Sequence, residues 1–234
     1  MEQVGEIVGR EFDWMRAINW SGPCHGCGMS IQHPGLCCSC AAEYESKRKT
    51  DRAKHALSDV RGTIPKRMRW ARFGSSDLPR RVATQDACQQ SFLAVDALLA
   101  GNASLILVGP AGSGKTSLAC AVLCEVALAK SLHTARFQCA IDLGQSRYRQ
   151  RYGGEAFDVE RSKAASLLVL DDLGSEHKNG VETVAEVIRY RHGEEKPTIY
   201  TTWIDPDSFA EHYGDGIARR INDSAIVVRV GGGQ

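Results

Sequence analysis

The sequence predicts an α/β three-layer sandwich with a mainly parallel sheet, preceded by a small metal-binding domain. From residue 103 onwards, short apolar strands alternate with helices, a pattern typical of parallel sheets that are covered by helices on both faces. Two pairs of closely spaced cysteines near the amino terminus predict the smaller domain. The chain has 234 residues, of which 43% are hydrophobic, and this size fits one full domain with a small appendage.

The individual elements follow from hydrophobic periodicity and from turn residues. Before the alternating region we expect helices over 2–20, 41–60 and 84–100, with a connector rich in glycine, proline and serine over 61–81. The strands expected later in the chain are 104–108, 134–140, 167–170, 198–202 and 225–230, and the helices expected there are 117–130 and 181–191.

A phosphate-binding motif lies between the first of these strands and the helix that follows it. Its sequence is Gly109-Pro110-Ala111-Gly112-Ser113-Gly114-Lys115-Thr116. Such a glycine-rich loop turns backbone N–H groups around phosphate oxygens, and the helix N-terminus adds partial positive charge. We expect Lys115 to reach the β- and γ-phosphates of ATP and the Thr116 hydroxyl to bind Mg²⁺, with Ser117 also among the nucleotide-binding residues. The fold is therefore predicted to be a P-loop ATPase.

Two carboxylates follow a fully apolar strand later in the chain. Asp171 is expected to hold Mg²⁺, directly or through water, and Asp172 to orient or activate the attacking water. Many ATPases use glutamate at the second position, so the shorter Asp172 predicts weak hydrolysis. The next strand ends in hydroxyl residues, of which Thr202 is the first candidate for sensing the γ-phosphate and Thr201 the second. The alternative is that these threonines only complete the strand.

The cysteine pairs have the CxxC spacing of zinc knuckles, which places two thiolates in the geometry of a tetrahedral site. The predicted zinc ligands are Cys24, Cys27, Cys37 and Cys40. A domain of about forty residues buries little apolar surface, so a metal would supply much of its folding free energy. Three alternatives stay open: Cys38 in place of Cys37, and either His25 or His33 as a ligand.

Two segments are candidates for contact with nucleic acid. Residues 41–81 hold twelve basic and five acidic side chains, a net charge of +7, which favours a polyanionic partner but also fits a solvated helix face. Further on, Arg147, Tyr148, Arg149 and Arg151 combine cations that neutralise phosphates with an aromatic ring that stacks on bases. This combination predicts contact with single-stranded DNA, and the alternative is an ordinary charged helix turn.

The sequence gives no sign of membrane insertion or secretion. It has no run of about 18 apolar residues, and its first fifteen residues include four acidic ones instead of an apolar signal core. An odd total of nine cysteines also argues against a secreted disulfide framework. We therefore expect a cytoplasmic protein that has no membrane partner.

Several phrases in register resemble one known branch of ATPases. They are GTIPKR, GPAGSGKTSLA, LLVLDDLGSE, YRHGEEKPTIYTT and YGDGIARRI. Together they resemble the DnaC/DnaI helicase loaders and the related IstB transposition helpers, a branch of the AAA+ ATPases, over residues 60–228. The resemblance implies an AAA+ domain without a C-terminal helical lid. The predicted domains are a zinc-binding partner-docking domain of residues 1–45, a basic helix and linker of 46–81, and an AAA+ ATPase domain of 82–234.

The resemblance also implies a function. It points to an ATP-dependent loader of a replicative DNA helicase onto single-stranded DNA, of phage or prophage type, in which the zinc domain docks on the helicase as in DnaI-type loaders. The late motif implies that Arg220, or alternatively Arg219, is an arginine finger for the γ-phosphate of a neighbouring subunit in a homo-oligomer.

Two other functions are carried beside the loader. One is an IstB-like ATPase helper of a transposase, although IstB proteins usually lack a zinc domain. The other is an ATP-binding adaptor with little hydrolysis. The adaptor is favoured by the short Asp172 and by Trp203, which stands where the branch usually carries asparagine.

Overall fold

The computed structural model describes residues 22–31, 36–101, 103–151, 157–223 and 225–231. It divides into two compact units, Met1–Arg52 and Ala53–Gln234. The helix predicted over 2–20 lies outside the described residues. None of the described helices is long and apolar enough to cross a membrane.

The described part of the first unit is small and buries little apolar surface. Strands β1 (Gly22–Pro23) and β2 (Ser30–Ile31) pair antiparallel, and helix α1 (Cys38–Thr63) follows them. Among the described residues up to Arg52, the only buried hydrophobic side chains are those of Cys24 and Cys37. Burial alone therefore contributes little to the stability of this part of the chain.

A five-stranded parallel sheet forms the centre of the second unit. Its strands are β3 (Ser104–Val108), β4 (Arg136–Cys139), β5 (Leu168–Leu173), β6 (Thr198–Thr202) and β7 (Ala225–Arg229). Their order in the sheet is β4-β5-β6-β3-β7, and every neighbouring pair is parallel. Since β6 lies between β3 and β5, its carboxyl end lies between the predicted phosphate loop and the predicted carboxylates.

Helices cover both faces of this sheet. They are α2 (Leu78–Arg81), α3 (Gln85–Ala100), α4 (Lys115–Lys130), α5 (Ala140–Arg151), α6 (Phe157–Ala164), α7 (Val181–Gly193), α8 (Phe209–Tyr213) and α9 (Asp215–Asn222), with short 3₁₀ helices at Lys66–Met68, Lys178–Gly180 and Pro206–Ser208. Along β3, Leu105 and Leu107 join one buried cluster, whereas Ile106 and Val108 join the other. This alternation is why the strand is apolar throughout, and it confirms the predicted three-layer α/β fold.

Most elements have the bounds expected from the sequence. Strands β3 and β6 match the prediction, whereas β5 continues to Leu173 because its last residues still pair with β6 after a bulge. The predicted connector is not a free linker at its apolar positions, since Ile64, Ala71 and Leu78 are buried in the core. In addition, the Thr63 hydroxyl accepts a hydrogen bond from the Phe137 backbone N–H at 2.9 Å.

Candidate ATP-binding site and cysteine cluster

The phosphate loop joins β3 to α4 and packs tightly against two neighbouring segments. Gly114 has φ +95°, and a Cβ there would lie 2.4 Å from the Arg81 carbonyl oxygen. A Cβ on Gly109 would lie 2.1 Å from the Val230 carbonyl oxygen. Both positions therefore require glycine, because any side chain would push the loop out of place.

Inside the loop, the Lys115 ammonium is hydrogen-bonded to backbone carbonyls and not to a carboxylate. The Lys115 side chain is 7% exposed, and its ammonium donates to the carbonyls of Gly109 at 2.8 Å and Pro110 at 2.7 Å. Burial lowers the pKa of Lys115, while Asp172 and Asp171 oppose that shift. The buried Ser113 hydroxyl has no hydrogen-bond partner among the described residues. A buried cation beside an unsatisfied hydroxyl at a helix N-terminus fits a polyphosphate.

The two oxygen groups predicted to bind Mg²⁺ meet beside this loop. The Thr116 hydroxyl donates to the Asp171 carboxylate at 2.9 Å, across 55 residues of sequence. Adjacent oxygen ligands of an octahedral Mg²⁺ lie about 2.9 Å apart, so these two groups fit one ion. Burial raises the pKa of Asp171, and hydrogen bonds from Thr201 and Thr116 oppose that shift.

The second carboxylate lies in a strained turn of strand β5. Three residue steps on β5, from Leu170 to Leu173, match two steps on β6, so the strand bulges between them. Within the bulge, Asp172 has φ +57°, and its backbone N–H donates to the Thr201 hydroxyl at 2.9 Å. Its side chain is exposed. The bulge thus presents one buried and one exposed carboxylate at the same edge of the sheet.

The two threonines that end β6 have different partners. Thr201 donates to the Asp171 carboxylate at 2.7 Å and also accepts the N–H of Asp172. Thr202 instead donates to the Leu173 carbonyl at 2.8 Å and accepts the Ile204 N–H at 3.0 Å. Thr202 therefore stabilises the backbone, and Thr201 contacts both residues of the carboxylate pair. The sensor role of Thr202 remains a sequence prediction, and the geometry favours its alternative, Thr201.

This difference gives a paired test of the two threonines. We expect Thr201→Val to lower ATP turnover about tenfold to a hundredfold, because hydrogen bonds to a charged group contribute about 1.5–3 kcal/mol. Thr202→Val should mainly lower stability, by about 1–3 kcal/mol, since it leaves buried backbone groups unpaired. Steady-state kinetics and thermal unfolding of both variants measure these effects. A turnover loss confined to Thr202→Val would reverse the assignment.

The candidate arginine finger lies away from the phosphate loop of its own chain. Arg220 donates to the Gly216 carbonyl at 2.6 Å and lines a cavity of about 360 Å³ together with Ser104 and Thr198. These two residues begin strands β3 and β6, whereas the phosphate loop follows the end of β3. Arg219 is exposed on the same helix. A β-strand of this length spans about 13 Å, so Arg220 is not positioned to serve the ATP site of its own chain.

The four predicted zinc ligands come together in the first unit. The thiol sulphurs of Cys24, Cys27, Cys37 and Cys40 all lie within 4.8 Å of one another. The sulphurs of Cys27 and Cys37 are 3.8 Å apart, and tetrahedral ligands at a Zn–S distance of about 2.3 Å are separated by about 3.8 Å. The donor set and its spacing therefore fit zinc. Cys38 is exposed and lies outside this cluster, and His33 lies outside the described residues.

Backbone groups already favour one thiolate in the cluster. The N–H groups of Cys37 and Gly26 donate to the Cys24 sulphur at 3.2 Å and 3.3 Å. Backbone hydrogen bonds, first from Cys37, then from Cys27 and Gly26, lower the pKa of Cys24 to about 6. Hydrogen bonding with the Cys37 side chain instead raises the pKa of Cys40. N–H donors around a cysteine sulphur stabilise the charged form that a metal requires.

Comparison with known families decides what this ATP site belongs to. The sequence profile of the family described as IstB-like ATP binding protein matches residues 71–230, well over half of the chain. The chain belongs to this family. It is therefore a P-loop ATP-binding protein of the AAA+ type, and ATPase activity is expected of it. A search of curated protein sequences finds no significant match.

Solved structures share the fold of this IstB-like chain. The DnaC helicase loader has a TM-score of 0.60 and 21% identity, covering 71% of this chain and 100% of its own. DnaI has a TM-score of 0.58 and 23% identity, covering 72% and 95%. DnaA from Aquifex aeolicus, bound to AMPPCP, has a TM-score of 0.51 and 20% identity, covering 67% and 51%. Identities this low show the fold alone.

One contact that the sequence motifs did not reveal connects the segment after the carboxylate bulge to the end of helix α8. The Glu176 carboxylate accepts the Gly174 N–H at 2.9 Å and also accepts the Tyr213 hydroxyl. Glu176 follows the carboxylate bulge, and Tyr213 ends α8 just before α9, which carries Arg220. Both residues stand inside the phrases that resemble the family, and that position is the only sequence signal that could have marked them.

The residues predicted to contact DNA lie on helix α5. The guanidinium of Arg147 pairs with Glu186, at 2.5 Å from Nη2 and 3.2 Å from Nε, and Lys163 binds the same carboxylate at 2.7 Å. The side chains of Tyr148, Arg149 and Arg151 lie outside the described part of the chain. Contact with DNA at this helix therefore remains a prediction.

Proposed function

We propose that this chain is an ATP-dependent loader that places a replicative DNA helicase onto single-stranded DNA. The observation that carries the proposal is a four-cysteine cluster, at residues 24–40, that precedes an ATP site of the IstB-like family. The likeness of its fold to those of DnaC and DnaI supports the same function. In this proposal ATP acts as a switch: the ATP-bound protein holds helicase and DNA, and hydrolysis releases them.

Each residue of the ATP site has a role in this cycle. Lys115 binds the β- and γ-phosphates, while Thr116 and Asp171 hold Mg²⁺, which neutralises charge on the phosphate oxygens when it is bound. Asp172 orients the attacking water, since its exposed carboxylate lies beside the buried Asp171. The Thr201 hydroxyl joins the Asp171 carboxylate to the backbone N–H of Asp172 and so holds the two residues in place relative to each other. Phosphoryl transfer depends mainly on such positioning and on charge neutralisation.

The position of Arg220 supports a finger that acts on a neighbouring subunit. We expect Arg220→Ala to lower turnover by about 10³-fold or more, as removal of an arginine finger generally does. Arg219→Ala serves as the matched control and should stay near wild type. Because Arg220 would act in trans, mixing Arg220→Ala with Lys115→Ala subunits should restore part of the activity, since some sites then combine an intact phosphate loop with an intact arginine. Activity that is not restored by mixing would contradict the shared site.

A binding experiment tests the loader itself. The protein is mixed with the replicative helicase of the same cell, with and without ATP, and complexes are measured by size-exclusion chromatography with light scattering. We expect a complex that depends on the four-cysteine cluster, so Cys24→Ser should lose it and Cys38→Ser should keep it. Absence of any complex under all conditions would overturn the proposal.

The family match itself favours a second candidate, an IstB-like helper that assembles with a transposase on duplex DNA. Preference for duplex over single-stranded DNA, together with ATP-dependent filaments, would support this alternative. A third candidate, an ATP-binding adaptor, rests on Trp203, which is 54% exposed and packs edge-on against His212 at 5.7 Å. Turnover stimulated by single-stranded DNA would exclude the adaptor.

A further inference from the structure

A continuous stretch of the second unit carries only positive charge. From Val60 to Ser76 the sequence has five basic residues and no acidic one. Val60, Ile64 and Ala71 within this stretch are buried in the core of the unit. The stretch is therefore fixed to the body of the unit by its apolar residues, and its cations are held on a defined surface.

Two of these cations, Arg61 and Arg69, border a groove of about 540 Å³ together with Lys54. Its lining residues, called here the basic groove, are Lys54, Leu57, Ser58, Arg61, Gly62 and Arg69. Lys54 and Arg61 are seven residues apart on helix α1, which places them on the same face about two turns from each other. Arg69 is held nearby because its guanidinium donates to the carbonyls of Ile64 at 3.0 Å and Gly62 at 3.4 Å.

The cations of the basic groove have no carboxylate partners among the residues that the structure describes. Within the described part of the chain, Lys54, Arg61 and Arg69 form no ion pair, whereas several arginines elsewhere in the unit do. Asp59, the nearest acidic residue in sequence, is bound to His133 at 2.7 Å. The Arg61 Nε is shielded from solvent and has no acceptor among the described residues. Like charges held together without counter-charges cost folding free energy, which an anionic ligand would offset.

The basic groove lies at the same edge of the sheet as strand β4, which leads into helix α5, the helix that carries the other predicted DNA-contacting residues. The end of α1 lies at edge strand β4, where Thr63 binds Phe137, and α5 begins directly after β4. The α1 end packs into the core on one face of the sheet, and α5 packs into the core on the other. A polyanion that crosses the β4 edge would thus meet both elements.

We propose that the basic groove binds the sugar–phosphate backbone of a nucleic acid, independently of base sequence. Its lining offers guanidinium and ammonium donors with one hydroxyl, and a backbone with regularly spaced phosphates matches several separated cations. The groove is open at Gly62, since no atom lies within 4 Å of the position that a Cβ would take there. The inference rests on the proposed function only in taking nucleic acid as the polyanion, and it assigns a second contact surface separate from the predicted one on α5.

Salt dependence of DNA binding tests the groove. Binding of a labelled oligothymidine and of a duplex of the same length is measured by fluorescence anisotropy over a range of salt, without nucleotide, for the full chain. For Lys54→Gln and for Lys54→Gln/Arg69→Gln we expect weaker binding and a salt slope that is smaller by about 0.9 per lost charge on duplex and about 0.7 on single strands. Lys54 is exposed, so the single variant should fold normally even if loss of Arg69 disturbs the groove.

The matched control is Arg229→Gln, which removes an exposed arginine from β7 at the other edge of the sheet. It should keep the wild-type slope. A reduced slope on single strands alone, or on both substrates, supports the groove and identifies which nucleic acid it takes. An unchanged slope in both groove variants overturns it. Helicase binding is measured with the same variants. A helicase complex that forms while the salt slope stays unchanged rejects the groove but not the loader. A reduced salt slope without any helicase complex rejects the loader but not the groove.

Discussion

Replacing Lys115 with alanine is expected to abolish measurable ATP turnover. Lys115 is the buried cation of the phosphate loop, and its ammonium already points at the loop carbonyls of Gly109 and Pro110. Loss of its charge-assisted hydrogen bonds should weaken ATP binding by about tenfold to a hundredfold. Loss of transition-state stabilisation should lower turnover by about another 10²–10³-fold.

This variant should remain folded, which makes its activity informative. Burial lowers the pKa of Lys115, so the folded state holds this charged group less favourably than the unfolded chain does, and removing the charge relieves that cost. Lys130→Ala, at the exposed far end of the same helix α4, is the matched control and should keep wild-type activity. Titration with a fluorescent ATP analogue and steady-state kinetics measure both effects. Turnover within tenfold of wild type in Lys115→Ala would show that the loop does not serve hydrolysis.

Zinc at the four-cysteine cluster is a prediction, and removal of that metal is expected to unfold the first unit. Its described residues bury only Cys24 and Cys37 among hydrophobic side chains, so little apolar burial remains to hold it once the metal is lost. Structural zinc sites in small domains supply about 10–16 kcal/mol of apparent binding free energy, which is folding free energy for such domains. Because cysteine thiols must lose their protons to bind zinc, we expect zinc binding to weaken as the pH falls.

Cysteine variants separate the metal ligands from their neighbour. Cys24→Ser and Cys37→Ser should lose about one zinc per chain, measured by elemental analysis, and should become sensitive to proteolysis within residues 22–52. Cys38→Ser should retain zinc, since Cys38 is exposed and outside the cluster. If zinc is retained in Cys37→Ser but lost in Cys38→Ser, the fourth ligand is Cys38 and not Cys37. ATP binding by the second unit should survive in all three variants.

The two threonines that end β6 differ in a way that their sequence positions do not reveal. Both stand at the end of an apolar strand, and the sequence ranks Thr202 first. The bulge in β5 shifts the register against β6 by one residue, so the hydroxyl of Thr201 meets Asp171 while that of Thr202 meets the backbone. A bulge depends on pairing between strands far apart in sequence, and no local pattern in β5 predicts it.

The sequence by itself determined the features that depend on local chain geometry. The phosphate loop, the apolar strand before Asp171 and the CxxC pairs each place their functional groups within a few residues of one another, so spacing alone predicts their chemistry. Alternation of strands and helices was also sufficient to predict the three-layer fold.

Only the tertiary structure decided which distant groups meet. It joined Thr116 to Asp171, linked Glu176 to Tyr213, and brought Arg69 beside the cations of α1. It also placed Arg220 near the amino-terminal ends of β3 and β6, whereas the phosphate loop follows the carboxyl end of β3. These arrangements result from strand order, register and helix packing, which are long-range properties of the folded chain and are not encoded in any one segment of it.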